Sequence, residues 1–363
     1  MDNITHTLFA ATLARTSVGR AGRGTTTALI LASNAPDIDI VTTAGGVLKY
    51  LEWHRGPTHG PLGIVGLGLI TAALVSVGLR IFDRRRSSEH APFRMLVAVS
   101  IIGALCHVLM DLPTSYGTRP LSPFSWRWYA WDWMPIIDIY LLGALAAGLL
   151  IGQYWPATRR QAAAIALAFL AGNYGVRAIS HERALALAPR AFGPILPGRC
   201  ETAPPRPLID TWPLPPVTQS DSSGRCLIEL AALPDFGTPF RWRLVAHLSD
   251  AYETHDVNLL DPRLQQPPAT SEAIWRLTST YSNEWTPAVF QAASTRPVKV
   301  FLGFSRFPAV RSVVGRDGVT TVRWLDVRFA AGPQPPQPPD RGQARAFFFG
   351  ATVRVAPTGE ILN

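Results

Sequence analysis

The run LGIVGLGLITAALVSVGL, residues 62–79, carries no charge over eighteen positions, and no other feature limits the possible folds so sharply. A bilayer's hydrocarbon core, about 30 Å thick, is crossed by about 20 apolar residues in a helix. Three more segments, residues 95–110, 136–152 and 162–172, the last prolonged through 173–177, come close to that length. Two shorter runs, 4–13 and 25–35, read as helices that cross only with local thinning or by packing against the others. The expected architecture is an α-helical membrane domain of four to six helices, spanning residues 1–188. Charged residues make up only 16% of the chain, against about 25% in an ordinary globular domain. The N-terminus lacks the charged-then-apolar layout of a cleavable signal peptide, so Met1 is expected to stay.

Basic residues collect on the cytoplasmic side of short membrane loops. Arg15, Arg20 and Arg23 separate the first two apolar runs; Arg80, Arg84, Arg85, Arg86 and Arg94 separate the next two; Arg159 and Arg160 separate the last two. Placing all three groups inside puts the other junctions, and everything beyond Arg177, on the outer face. The formal charge of +9 then follows from topology, and no nucleic-acid partner is needed to explain it.

The exterior junctions carry the chemistry. They hold MDNITH (Asp2, His6), PDID (Asp37, Asp39), HRGPTHG (His54, Arg55, His59), His107 with Asp111, and WDWMPIID (Asp132, Asp138). Asp2/His6 and His107/Asp111 are spaced i,i+4, so on a helix each pair shares a face. Pro36 should keep Ala35 out of a helix, leaving Asp37 and Asp39 on an extended or turning segment and pointing to one side. His59 should sit close to the start of a helix opened by Pro57 or Pro61. Imidazole and carboxylate together are a ligand set for zinc, manganese or iron. Four histidines and six aspartates are too many for one tetrahedral ion and enough for two or three. Each also has a plain reading: Asp2 as a helix cap, Asp37 and Asp39 as turn formers after proline, His6 as an interfacial polar residue. Ionisable groups at membrane depth are costly, however, and their placement on one side favours a metal site. Arg177 and His181, another i,i+4 pair, would receive a phosphate or carboxylate, or else snorkel to headgroups. His90, His247 and His255 read as surface residues.

Taken together, MDNITH, PDID, WHRGPTHG, His107-V-L-M-Asp111 followed by YGTRPLSPFS, and the later Asp138 resemble the YdjM-like family of inner-membrane metal-dependent hydrolases. The resemblance covers residues 1–180, while PFRWRL and FSRFP look like the C-terminal extension of a long subgroup. It implies a bacterial multi-pass inner-membrane enzyme acting on phospholipids, lipid-linked phosphates or related phosphoesters. It also implies two or more divalent ions, zinc or manganese. Carried over by position, Asp2, His6, Asp37, Asp39, His54, His59, His107, Asp111 and Asp138 are the metal positions. Asp37, Asp39 or Asp138 would be the general base or bridge. Arg55, Arg177 and His181 would meet substrate, and Asp132, Thr5 and Thr58 would support the ligands from behind. Many relatives have a serine after the second histidine of the HRG motif, whereas this chain has Gly60.

After residue 188 the texture changes. A proline-rich connector is expected over 189–224, followed by a small mainly-β exterior domain over 225–363. Its strands are expected at 225–233, 240–249, 298–306, 320–329 and 345–355, with a short helix at 271–281 and an irregular proline-rich loop at 332–342. Trp242, Trp275, Trp285 and Trp324 are expected to pack inside it. Cys200 and Cys226 both lie outside the membrane and could pair in an oxidising compartment if they come close, while Cys106 is a small hydrophobe within a helix. No catalytic constellation stands out in this half, which would gate or select substrate. Two other functional classes remain open: a transporter, which would spread ionisable groups through the membrane, and a metal sensor or scaffold without turnover.

Overall fold

The computed structural model describes residues 1–83, 89–193, 196–201, 210–212, 224–262, 278–283, 285–330 and 349–362. The described chain forms two compact units. One comprises residues 1–41, 53–180 and 234–239; the other comprises 42–52, 181–233 and 240–363.

The first unit is helical. Its elements are α1 (Asn3–Leu13), α2 (Thr25–Ala32), a 3₁₀ helix (Ala35–Gly45), α3 (Val47–Trp53), α4 (Pro61–Phe82), α5 (Phe93–Asp111), the short strand β1 (Trp128–Ala130), α6 (Ile139–Tyr154) and α7 (Arg159–Phe192). The 3₁₀ helix and α7 run on into the second unit, and α3 lies in that unit except for Trp53. Among the described residues, three helices are long and apolar enough to cross a membrane: Pro61–Phe82, Phe93–Asp111, and Pro156–Phe192, in which one 3₁₀ turn leads into α7. The expected third span is shorter than its apolar run suggested. Asp138 caps α6 by accepting a hydrogen bond from the Leu141 N–H at 2.8 Å, which leaves Ile136 and Ile137 outside, and Trp155–Pro156 ends it after 16 residues. The last helix, in contrast, continues through Pro189 to Phe192. The 3₁₀ helix after Pro36 also departs from the extended segment expected there, since the restriction on Ala35 is met by a helix that starts with it.

Helices α4 and α5 are packed against each other, and α2 lies against α5. Close approach is built in: a Cβ on Gly68 of α4 would meet Ile101 of α5 at 2.7 Å from its side chain and 3.1 Å from its backbone. Small residues at such crossings are how helices associate in lipid, where there is no hydrophobic gain from burying one apolar face on another.

The second unit is mainly β. Besides the short β2 (Asp210–Trp212), it holds β3 (Leu227–Pro234), β4 (Arg241–Leu248), β5 (Ala251–Asn258) and β6 (Thr278–Ser282), which form one four-stranded sheet in the order β3-β4-β5-β6. A second sheet has the order β10-β9-β8-β7, from β7 (Pro308–Val314), β8 (Thr320–Asp326), β9 (Gly350–Val355) and β10 (Ile361–Leu362). Trp242 and Trp324 are core residues and Trp285 packs at the edge of the second core; Trp275 lies outside the described residues. The run at 298–306 is not a strand. Thr295 precedes α9 (Arg296–Phe304), Pro297 sits in its first turn, and Val298, Phe301 and Phe304 are buried three apart, a helical repeat. A short helix α8 (Pro287–Ala293), capped by Thr286, precedes it. At 271–281 the described part, from Thr278, is strand β6 paired with β5, and 271–277 lie outside the described residues, as do 332–342. His247 and His255 are not surface residues: His255 is buried, and His247 stacks on the Tyr252 ring at 4.4 Å, where burial pushes its imidazole down to about 4. Cys200 and Cys226 form a disulfide with Cα atoms 5.0 Å apart.

Two outcomes follow. Gly68→Val should destabilise the detergent-solubilised protein by about 1–3 kcal/mol, because overpacking forces neighbours off their rotamers. Gly66→Val, a site with nothing within 4 Å of the added Cβ, should change little in the same thermal-aggregation assay. Titration of the unfolded, unreduced chain should find one free thiol, Cys106, among three cysteines.

Candidate metal centre

The ends of the spanning helices define where the polar residues gather. Helices α4 and α5 are consecutive, long and packed together, so the start of α4 and the end of α5 lie at the same end of the pair. His59 stands two residues before Pro61, the first residue of α4, and His107 and Asp111 occupy the last turns of α5. Asp37, on the 3₁₀ helix, joins them. One ligand atom from each of Asp37, His59, His107 and Asp111 lies within 4.8 Å of all the others.

The separations within this group are informative. His59 Nε2 and His107 Nε2 are 3.3 Å apart. Asp37 Oδ1 is 3.5 Å from His59 Nε2 and 3.4 Å from His107 Nε2. Asp111 Oδ2 is 3.5 Å and 3.3 Å from the same two nitrogens. Ligand atoms about 2.1 Å from a zinc ion at tetrahedral angles stand about 3.4 Å apart. Five of the six edges therefore match a single tetrahedral ion, and the sixth, between the two carboxylates, is bounded by 4.8 Å.

Protonation points the same way. His107 Nδ1 donates to the Ser33 carbonyl at 2.7 Å, so the proton is on Nδ1 and Nε2 presents a lone pair. Burial pushes the His59 imidazole down to about 3 despite the Asp37 carboxylate beside it, so it too is neutral. Thr58 Oγ1, 3.0 Å from His59 Nδ1, steadies that ring. Asp111 has no exposed surface, and its Oδ2 has no hydrogen-bond partner among the described residues. Lone pairs and an unpartnered anionic oxygen converging on one point, without a donor, are a cost that a cation removes.

The remaining expected residues take other places. The second oxygen of Asp111 receives Arg55 Nη2 at 3.1 Å and the Met1 amine, and His6 Nε2 stands 3.5 Å from it. His6 stacks on His107 at 3.9 Å; neither of its nitrogens has a hydrogen-bond partner among the described residues, although its side chain has no exposed surface. Asp39 accepts from the Arg55 backbone N–H at 2.6 Å and lies 3.3 Å from His54 Nδ1, so it and His54 fasten the HRG loop beside the group. Asp2 caps α1, accepting from the Ile4 and Thr5 N–H groups and from the Thr5 hydroxyl, the plain alternative that its position allowed. Asp138 takes a different place from the one expected: besides capping α6 it pairs with Arg177 Nη2 at 2.6 Å, and it stands outside the four-residue group. Arg177, which also donates to the Asp235 carbonyl at 3.2 Å, thus has its charge met inside the protein. His181 faces its neighbour Glu182 and the Trp242 ring. Asp132 is buried in a left-handed turn whose flanking N–H groups bond to the Leu112 and Pro113 carbonyls, just past the end of α5.

Some contributors carried no obvious signal. The Ser33 carbonyl that orients His107 is a backbone atom. Arg55 was expected to meet substrate, but its backbone role was not: it sits in the left-handed region at φ 51, held by its N–H on Asp39 and by Nη1 donating to the Gly117 carbonyl at 2.6 Å. Arg119 is buried, donates to the His54 carbonyl at 3.4 Å and lies 4.4 Å over the Trp128 ring. The glycine at 60 has a steric cause: a Cβ there would come within 1.6 Å of the Ser122 carbonyl oxygen, so no serine fits this packing.

Uncharacterized protein YfhP of Bacillus subtilis (strain 168) is 31% identical over 123 residues, 33% of this chain and 35% of the relative's length. The chain thus matches about a third of that relative. No solved structure matches. The model of the family described as YdjM inner membrane protein matches residues 1–184, the region that holds the first two spans, most of the third and all four grouped residues. The chain belongs to the YdjM inner membrane protein family.

Proposed function

We propose that the chain is a metal-dependent hydrolase of phosphoesters carried by membrane lipids, with its site at the outer face of the inner membrane. The observation that supports this most is the set of five near-equal separations joining His59, His107, Asp37 and Asp111 at the end of two spans. Arg15, Arg20 and Arg23, then Arg80 and Arg94, then Arg159 and Arg160 stand at the other ends of these helices, which supports an outer position for the group by the charge rule, and the same rule favours the outer face for the C-terminal region.

Zinc suits the two imidazoles and the tetrahedral edges best, with manganese next. A divalent ion there would acidify water and polarise a phosphoryl oxygen. The chain's own residues do the rest. His59 and His107 hold neutral nitrogens inward, and the two carboxylates supply compensating charge. Asp37 is the grouped residue with an exposed side chain, 17%, where the other three have none. Substrate access is therefore at Asp37, which is also placed to take a proton from attacking water. Arg55 Nε lacks a hydrogen-bond partner among the described residues and its guanidinium already lies beside Asp111, so it is the cation that meets a phosphoryl oxygen.

One observation favours a second reading. Four protein ligands around one point is the pattern of a structural zinc site, whereas catalytic sites keep a position open, so a sensor or scaffold is the alternative. A transporter fits less well, since the ionisable residues gather at one end of the spans.

The test is to purify the full chain in detergent, measure bound metal by mass spectrometry, and assay phospholipids, phosphatidic acid and short-chain phosphoesters. His107→Ala should weaken metal binding by about 100-fold or more, beyond the loss typical of removing a ligand's supporting partner, and abolish turnover. Asp138→Asn should keep the metal while destabilising the fold by about 3–5 kcal/mol, because it strands a buried arginine. Tight metal without hydrolysis of any substrate in the wild type would establish the sensor reading instead.

A further inference from the structure

The accessible side of the metal group opens beside apolar surface that the described chain leaves uncovered. Asp37 belongs to a 3₁₀ helix whose Pro36 and Asp39 are buried, while Ile38, Ile40 and Val41 are 53%, 55% and 64% exposed. With three residues per turn, Ile38 and Val41 stand one above the other on its outer face. A second group comes from the segment after α5, where Leu121, Phe124 and Trp126 are exposed. Trp126 meets Trp53 edge-on at 5.8 Å, against Gly56 of the metal loop. The same exposure continues onto the spans that carry the ligands, at Leu62 and Val65 beginning α4 and at Leu105 and Leu109 ending α5.

We infer that this rim is a lipid-contact surface. The outer face of the 3₁₀ helix and the Trp53–Trp126 pair lie at the boundary of headgroups and acyl chains, and a phospholipid reaches Asp37 sideways from the bilayer with its chains along Ile38 and Val41. The occupant is lipid because the rim adjoins the lipid-facing surface of two spanning helices at one of their ends, and half-exposed tryptophan is the side chain that settles at that depth. Isoleucine and valine on a one-turn repeat beside a carboxylate give such a helix one wet edge and one apolar edge, as an interfacial element needs. The substrate's route rests on the hydrolase reading; the immersion of the rim does not.

The experiment uses the full chain with Cys106→Ala, in which Cys200 and Cys226 remain joined. Val41→Cys and Phe124→Cys, each labelled with an environment-sensitive fluorophore, are placed in vesicles of phosphatidylethanolamine and phosphatidylglycerol, with Val314→Cys on β7 as the aqueous reference. Both rim labels should lose most of their emission to lipids brominated on the acyl chain and be shielded from aqueous iodide. Iodide quenching equal to that at position 314, with no effect of brominated lipid, overturns the inference. Val41→Glu should lower turnover of vesicle phospholipid about tenfold, roughly the value of burying one aliphatic side chain, and leave a soluble short-chain phosphoester unchanged. Equal loss on both substrates also overturns the lateral route. Immersed labels without any hydrolysis by the wild type support the surface and defeat only the enzymatic reading.

Discussion

Asp111 ends an apolar helix with a carboxylate that water does not reach, and the helical unit is arranged around meeting that charge. An unmatched buried ion costs several kcal/mol, so the geometry near it is constrained more tightly than propensity alone would demand. One oxygen takes Arg55 and the Met1 amine. The other faces His59 and His107 with no hydrogen-bond partner among the described residues. Satisfying the first oxygen brings Arg55 inward, and that requires the HRG loop to turn through a left-handed residue, which Asp39 stabilises by accepting its N–H. Satisfying the second requires two imidazoles with bare nitrogens, and the end of α2 supplies the Ser33 carbonyl that fixes one of them.

How far this was legible in the sequence depends on the kind of information each residue carries. The i,i+4 spacing of His107 and Asp111 is a helical property, and once α5 forms the two must share a face; they stand 3.3 Å apart. The place of His59 at a helix start followed from Pro61 in the same way. The spans were legible from uncharged length, though the end of α6 was set by a capping aspartate and a Trp-Pro step that a hydropathy run cannot register. In the β unit, VKVFLGF reads as a strand by composition, yet its buried residues repeat every third position and a proline opens it, so it is a helix. Tertiary partners such as the Ser33 and Gly117 carbonyls were invisible because every residue has a carbonyl.

Asp138 and Asp111 show the limit most clearly. Each is an aspartate at an end of an apolar helix on the same side of the topology, and each has no exposed surface. What separates them is what faces each oxygen: Asp138 uses one for the Leu141 N–H and the other for Arg177. Asp111 meets Arg55 and the Met1 amine through one oxygen only, and its other oxygen faces two imidazole nitrogens with no hydrogen-bond partner among the described residues. Ligation is therefore a property of what faces a carboxylate, and residue type with spacing narrows it without deciding it.

The four grouped residues are also unequal in how firmly they are held. His107 and Asp111 are anchored on a long helix, and His59 is wedged between Thr58 and the start of α4. Asp37 rides on a 3₁₀ helix, whose hydrogen-bond geometry is poorer than that of an α-helix, and it alone among the four keeps part of its side chain exposed. Displacing it costs less packing than displacing any of the others, since the residues flanking it on that helix, Ile38 and Ile40, are themselves mostly uncovered. A purely structural site gains nothing from one weakly held ligand at its accessible edge. A site that must admit water and a phosphoryl oxygen needs one, and that asymmetry weighs on the side of turnover against the count of four protein ligands.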